Sequence, residues 1–238
     1  MDRSRVLPYI GLQMDSPSTS NPEAPLDRHG LPRAYVIRTE RERLLEAMVR
    51  VSAAKGYEAT TVADVVEYAG VPRETFDQMF GSKEACFLES YEAVFDVLVA
   101  HVTAAFQAAS GEPWPEQIAA GLRALVELLS MEADIARMAM VEVTAAGDDA
   151  RERYRAMFAR FTPFLEEGRR YSGQGEELPA DTARFAVGGA ASMIFDEVRA
   201  GRGPELKRIL PDLVFAVLMP YLGSEAAEDE MRRVTREG

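Results

Sequence analysis

From Thr39 to Leu222 the apolar residues return every third or fourth position, and no stretch sustains the alternation of a half-buried strand. A chain with that single period can bury its apolar side chains in one way, as helices packed on helices. The predicted fold is therefore all-α. Glycine, proline and hydroxyl residues cut the pattern into lengths. A first helix runs from a cap at Thr39 to Lys55, with Leu44, Leu45, Met48 and Val51 as its stripe and Gly56 closing it. Thr61 caps a second over Val62 to Ala69, which Gly70 ends. Pro72 opens a third through Phe80, and Ser82 opens a long fourth to about Ala108. Beyond the breakers Gly111, Pro113 and Pro115, helices are expected near 116–130, 132–145, 148–170 with a bend at Pro163, 180–200, and 204–222 with a bend at Pro211.

Residues 1–38 carry Pro8, Pro17, Pro22, Pro25 and Pro32 around the polar run SPSTSNPE, too little apolar surface to offset ordering, so a largely disordered extension is expected. Its basic end, LPRAYVIR, has two open readings, an arm along a polyanion or a solvated linker. Residues 39–84 form a first domain, residues 85–222 a larger helical one, and the charged residues 223–238 a flexible tail. With 47% hydrophobic and 28% charged residues the chain reads as globular, and its longest apolar run, Leu213 to Leu222, is too short to cross a bilayer. A cytoplasmic protein without a membrane partner is expected. Cys86 is the one cysteine, and only His29 and His101 accompany it, so neither a disulfide nor a thiolate zinc site can be assembled. No metal and no cofactor are expected. There is no Ser/His/Asp set and no Gly-rich phosphate loop, so no catalytic residue is assigned and an enzyme is not expected.

Charge is unevenly placed. The chain carries a net −12, yet residues 33–83 are neutral, with Arg33, Arg38, Arg41, Arg43, Arg50, Lys55, Arg73 and Lys83 balancing Glu40, Glu42, Glu46, Glu58, Asp64, Glu67, Glu74 and Asp77. In this segment three short helices with a glycine between the second and third have the outline of a helix-turn-helix. At about 100° per residue, Phe76 and Phe80 share one side of the third helix and turn inward, while Glu74 and Gln78 project from the other toward base edges. A carboxylate there accepts from the cytosine amino group, and an amide pairs with adenine. Asp77 lies one turn after Arg73, so the two form an ion pair. Phosphate contacts are assigned to Thr61, Thr75 and Lys83, with Arg38 and Arg41 adding to them.

The run LLEAMVRVSAAKGYEATTVADVVEYAGVPRETFDQMFGSKEACF resembles the DNA-binding segment of TetR-type (tetracycline repressor) bacterial regulators. The matching features are Lys55-Gly56-Tyr57, Thr60-Thr61-Val62, Asp64-Val65, Ala69-Gly70-Val71, Thr75-Phe76, Phe80 and Ser82-Lys83-Glu84. The sequence departs from the family pattern at Ala63, Glu74, Asp77 and Met79, where a polar or basic residue, a small residue, an aromatic and a histidine are usual. Near the end, ILPDLVFAVLMPYLG resembles the last helix of a C-terminal domain found in part of the family.

The resemblance implies a homodimer on double-stranded operator DNA, most simply a repressor released from a palindromic site by a small apolar effector. The small residues Gly188, Gly189 and Ser192, with Leu213, Val217 and Tyr221 of the apolar last helix, are the candidate dimer contacts; packing within one chain is the other reading. Phe95, Phe106, Trp114, Met138, Phe158, Phe161, Phe185 and Met193 are candidate pocket residues, and at helical spacing they also read as ordinary core. A second function stays open, a helical ligand-binding or protein-interaction dimer that has lost DNA binding.

Overall fold

Each short helix at the start of the chain is bounded by a residue that cannot continue it. The computed structural model describes residues 33–172 and 178–237, the first six of these in backbone only. The expected disordered extension over residues 1–32 and the glycine-rich stretch 173–177 lie outside the described residues. Among the described residues, all regular structure is helical. It comprises α1 (Arg33–Lys55), α2 (Val62–Ala69), α3 (Arg73–Met79), α4 (Lys83–Ala108), α5 (Trp114–Met131), α6 (Ala133–Met140), α7 (Asp148–Ala159), α8 (Thr162–Glu166), α9 (Thr182–Arg199) and α10 (Leu210–Glu237). Short 3-10 turns cover Glu142–Ala145, Glu167–Arg170 and Gly203–Ile209.

The chain forms two compact units, one ending at Val94 and the other beginning at Phe95, so the division falls inside α4 and not at its start. In the first unit α1 packs on α2 and α2 on α3. Leu44, Met48, Val65, Phe76, Phe87 and Tyr91 are fully buried there. Burying side chains of this size stabilises a fold by about 1.5–3 kcal/mol each. Helix α1 starts at Arg33, six residues before the expected cap, because nothing between Pro32 and Thr39 interrupts a helix; Thr39 lies within it. The stripe placed on Leu44, Leu45, Met48 and Val51 is buried as expected.

In the second unit α5 packs against α10 and Gly203–Ile209, and α9 against α10, α6, α7 and α8. Its centre is Trp114, whose indole N–H donates to the carbonyl of Phe164 at 2.9 Å. The indole stacks on Tyr171 at 5.7 Å and meets the edge of Tyr221 at 5.3 Å. Gly168 makes room for it, since a Cβ there would lie 2.4 Å from the indole and 2.9 Å from the Tyr221 ring.

Proline and glycine place the breaks differently from the sequence expectation. The helix expected over 148–170 is not bent but severed. Pro163 has no N–H and its ring would strike the carbonyl of Ala159, so α7 stops at Ala159 and α8 restarts at Thr162. The Thr162 hydroxyl caps the stranded Ala159 carbonyl at 2.7 Å. Pro211 sits in the first turn of α10, where a missing N–H costs nothing, and the interruption comes at Gly223, with φ 78°. Beyond it the expected flexible tail is helical to Glu237, with Ala227 and Val234 buried. Arg123 holds Glu237 at 2.7 Å, and Arg233 bonds to Glu230. By length and composition alone the segment 203–237 would suffice to span a membrane. Leu213, Val214, Val217 and Leu218 are instead buried among α5 and α9, which makes it a core helix.

Gly168→Ala is expected to cost about 1–3 kcal/mol by overpacking. Urea unfolding followed by the fluorescence of Trp114, the only tryptophan, reads this directly. An unchanged midpoint would mean that the glycine is not what seats the indole.

Candidate nucleic-acid interface and apolar cavity

Helix α2 begins in a capping box. The Thr61 hydroxyl accepts from the Asp64 amide at 3.2 Å and donates to its carboxylate at 2.8 Å, while the Thr61 amide donates to the same carboxylate at 2.9 Å. Lys55, the last residue of α1, pairs with Asp64 from the other side. The bond from Lys55, then those from the Thr61 amide and hydroxyl, lower the Asp64 pKa from 3.8 to about 2. Helix α2 ends at Gly70 in the left-handed conformation, φ 60°, which only glycine adopts without strain. There Arg43 reaches over from α1, donating to the carbonyl of Ala69 and, at 3.1 Å, to that of Gly70. These are two of the orphan carbonyls every helix end exposes. A Cβ on Gly70 would lie 2.8 Å from the guanidinium.

The turn delivers α3, whose Phe76 is fully buried and meets Phe80 at 5.4 Å. That orientation leaves Arg73, Glu74, Asp77 and Gln78 exposed and Thr75 half-buried. The expected pair forms, Arg73 Nε to Asp77 at 2.9 and 3.1 Å.

In the second unit a cavity of about 80 Å³ opens between helices, lined only by apolar side chains and Gly121. Helix α4 contributes Phe95, Leu98, Val102 and Phe106. Phe158, Phe161 and Phe164 come from the α7–α8 break, and Phe158 meets Phe95 at 5.2 Å while Phe164 meets Phe106 at 5.1 Å. Beside them Arg160 pairs with Asp96 of α4 at 2.7 Å.

Residues 44–90 match the family model for bacterial regulatory proteins of the tetR family. The N-terminal unit therefore carries a TetR-family segment. Its fold is that of the fatty acid degradation regulator FadR from Bacillus halodurans, with a TM-score of 0.66 and 16% identity over 75% of this chain and 94% of that one. FadR from Bacillus subtilis, solved in complex with stearoyl-CoA, gives 0.61 and 16% over 76% and 97%. PfmR from Thermus thermophilus gives 0.55 and 20% over 82% and 95%. At such identities the likeness carries the fold alone. A search of curated proteins found no match. TetR-family proteins are DNA-binding transcriptional regulators and not enzymes.

The structure redistributes several residues expected to touch DNA in this TetR-family head. Lys83 does not stand free beside α4; its ammonium donates to the carbonyls of Tyr57 and Thr60 at 2.9 and 3.0 Å and sits 4.2 Å over the Tyr57 ring. It is spent on the loop ahead of α2, where carbonyls have no helical partner. Arg41 is gripped by both carboxylate oxygens of Glu89 and covers the Phe80 ring at 4.7 Å. The Arg38 side chain lies outside the described residues. Sequence reasoning missed Arg43, because its partners lie 26 and 27 residues away and are main-chain atoms with no sequence signature.

Of the eight candidates, Phe95, Phe106, Phe158 and Phe161 line the cavity and the other four do not. Trp114 is committed to Phe164, Tyr171 and Tyr221, and Met138 is fully buried core. Phe185 is 77% exposed, and Met193 lies half-buried off the cavity. The missed lining includes Leu122 and Leu125 of α5 and Val187, Ala190, Ala191 and Ile194 of α9. On α9 the lining residues alternate with the outward Gly188, Gly189 and Ser192, a pattern visible in the sequence. Gly188, Gly189 and Ser192 do face outward on α9. Leu213, Val217 and Tyr221 do not face outward on α10, because the core takes the wider apolar side of that helix and Val217 reaches the cavity. The outward apolar side of α10 is Met219, 44% exposed, with Phe215, Ala216 and Leu222 partly so. His101 is exposed and Cys86 is buried, its thiol pushed up to about 12 chiefly by desolvation. It packs and does not react.

Two outcomes follow for the head. Arg43→Met removes a charge-assisted clamp and is expected to lower unfolding free energy by about 1–3 kcal/mol, with faster hydrogen exchange at the Val71 amide; unaltered exchange would exclude the clamp. Because the folded pKa of Asp64 is depressed, its stabilisation is complete above the ordinary carboxylate range and is lost as pH falls toward 2. Carboxyl NMR should place the Asp64 midpoint near 2, rising in Lys55→Met; a midpoint near the ordinary value in the unaltered protein would exclude the Lys55 contact.

Proposed function

We propose that the protein is a ligand-responsive repressor: a homodimer that occupies a palindromic operator and releases it when a small apolar effector enters the second unit. The observation that carries this reading is the buried Phe76, which turns Glu74 and Gln78 outward on α3. In the major groove Glu74 accepts from cytosine and Gln78 pairs with adenine, so the two select sequence. Arg73, aimed by Asp77, and Thr75 meet phosphates. With Arg41 and Lys83 held inside the unit, and the Thr61 amide and hydroxyl both engaged by Asp64, the remaining amides at the N-termini of α2 and α4 carry most backbone contacts. Lys83 and Arg41 act at one remove, by fixing the loop and the helix that present those amides.

The outward face of Phe185, Gly188, Gly189, Ser192 and Met219 supports a second copy docking on α9 and α10, since small residues let helices approach closely and the exposed aromatic and thioether gain burial. A dimer doubles every DNA contact and sets two reading heads for a two-fold site. The effector acts through α4, whose first half belongs to the first unit and whose second half lines the cavity. An occupant that pushes Phe158 and Phe161 aside bears on Phe95 and on the Arg160–Asp96 pair, favouring an arrangement of α4 that the operator does not. Its leverage is limited to its difference in affinity for the two arrangements. An apolar effector is also the kind of molecule that stearoyl-CoA, bound by the Bacillus subtilis protein, exemplifies in part. A regulator of bacterial transcription works in the cytoplasm.

A second reading, a ligand-binding dimer that no longer holds DNA, is favoured by the carboxylates Glu74 and Asp77 on α3 and by the internal use of Arg41 and Lys83. One experiment separates the two, a gel shift on DNA from beside the protein's own gene across a salt series. The repressor reading expects a salt-dependent shift by a dimer, and Glu74→Ala losing about 1–3 kcal/mol of discrimination between operator and scrambled DNA. No shift at low salt, or equal losses on both DNAs, would establish the second reading or remove Glu74 from base recognition, respectively.

A further inference from the structure

The cavity is walled toward solvent by residues that also belong to a surface groove. Phe158, Val187 and Ala191 line both the cavity and the groove between α7 and α9. The groove carries Arg151, Arg155 and Arg184, against the acidic Asp148 and Glu152. Cations thus outnumber anions there, in a chain of net charge −12. Arg151 and Arg155 are one helical turn apart on α7, so their guanidinium groups leave the helix on the same side. Arg151 pairs with Asp148, and Arg184 with Asp181, in exposed contacts that a better anion displaces at little cost. Arg155 is exposed and, among the described residues, has neither an ion pair nor a hydrogen bond.

We propose that the effector is an amphipathic anion, whose apolar part enters the cavity past Phe158 while a carboxylate or phosphate head stays in the groove on Arg155, flanked by Arg151 and Arg184. The inference rests on reading the second unit as the effector site. Its physical basis is the contrast between the two compartments. The cavity offers no side-chain hydrogen-bond donor, so an anion cannot follow the apolar part inside. The groove offers planar guanidinium donors, which match both oxyanions. About 80 Å³ of space admits a short chain. The half-buried Phe158, Phe161 and Phe164 must turn aside for a longer one.

Calorimetry on the full-length protein without DNA tests this, using octanoate, octyl phosphate, octanol and inorganic phosphate as probes. The expected result is that octanoate or octyl phosphate binds at least about tenfold more tightly than octanol, the tighter of the two identifying the head. The double variant Arg151→Ala/Arg155→Ala should erase that preference and leave octanol binding unchanged. The proposal is overturned if octanol binds equally well, if the double variant keeps the preference, if inorganic phosphate alone binds as tightly as octyl phosphate, or if none of the probes binds. Since no DNA is present, these failures leave the operator reading standing, and a failed gel shift leaves this result untouched.

Discussion

The burial of Phe76 is the constraint on which the N-terminal unit turns. With that ring inside, the rotation of α3 about its axis is settled, and every other side chain on the helix takes its place as a consequence. A helix of this length has no independent stability, since a helical nucleus is costly and short helices are marginal in water. It exists because one aromatic side chain is drawn into a core and because the turn before it is held. Arg43 supplies the hold by closing on the carbonyls of Ala69 and Gly70, and the left-handed Gly70 lets the chain reverse without a Cβ in the way.

The cations of residues 33–83, a stretch without net charge, are largely used inside the N-terminal unit. Lys55, Lys83, Arg41 and Arg43 are used to satisfy carboxylates or carbonyls of the head itself. Lys55, Lys83 and Arg43 hold the ends of α2 and the loop before it, Arg41 holds α4, and amides at helix N-termini favour anions. Under the proposed repressor reading, affinity is thus moved from flexible side chains to a rigid backbone, while the outward Glu74 and Gln78 are left to discriminate.

In the second unit the decisive event is the severing of α7 from α8 at Pro163. An unbroken helix would present its phenylalanines along a single stripe. The break lets Phe158, Phe161 and Phe164 close on Phe95 and Phe106 and leaves a space too small for most ligands and free of polar partners. The packing at Trp114, Gly168 and Tyr221 anchors the far end of that segment.

Periodicity and punctuation in the sequence determined the helical class, the limits of α2, the inward turn of Phe76 and the Arg73–Asp77 pair, because these depend on residues within one or two turns of each other. The TetR-type resemblance was likewise legible, being carried by a contiguous run. What only the tertiary structure decided were partners distant along the chain: Lys83 on Tyr57 and Thr60, Arg43 on Gly70, Arg41 on Glu89, and Val217 in the cavity in place of a dimer face. A helix that is apolar nearly all round announces that it is buried but not against what, and a cation announces its charge but not its counterpart. Those choices are made by which surfaces meet when the helices pack, and no local pattern encodes them.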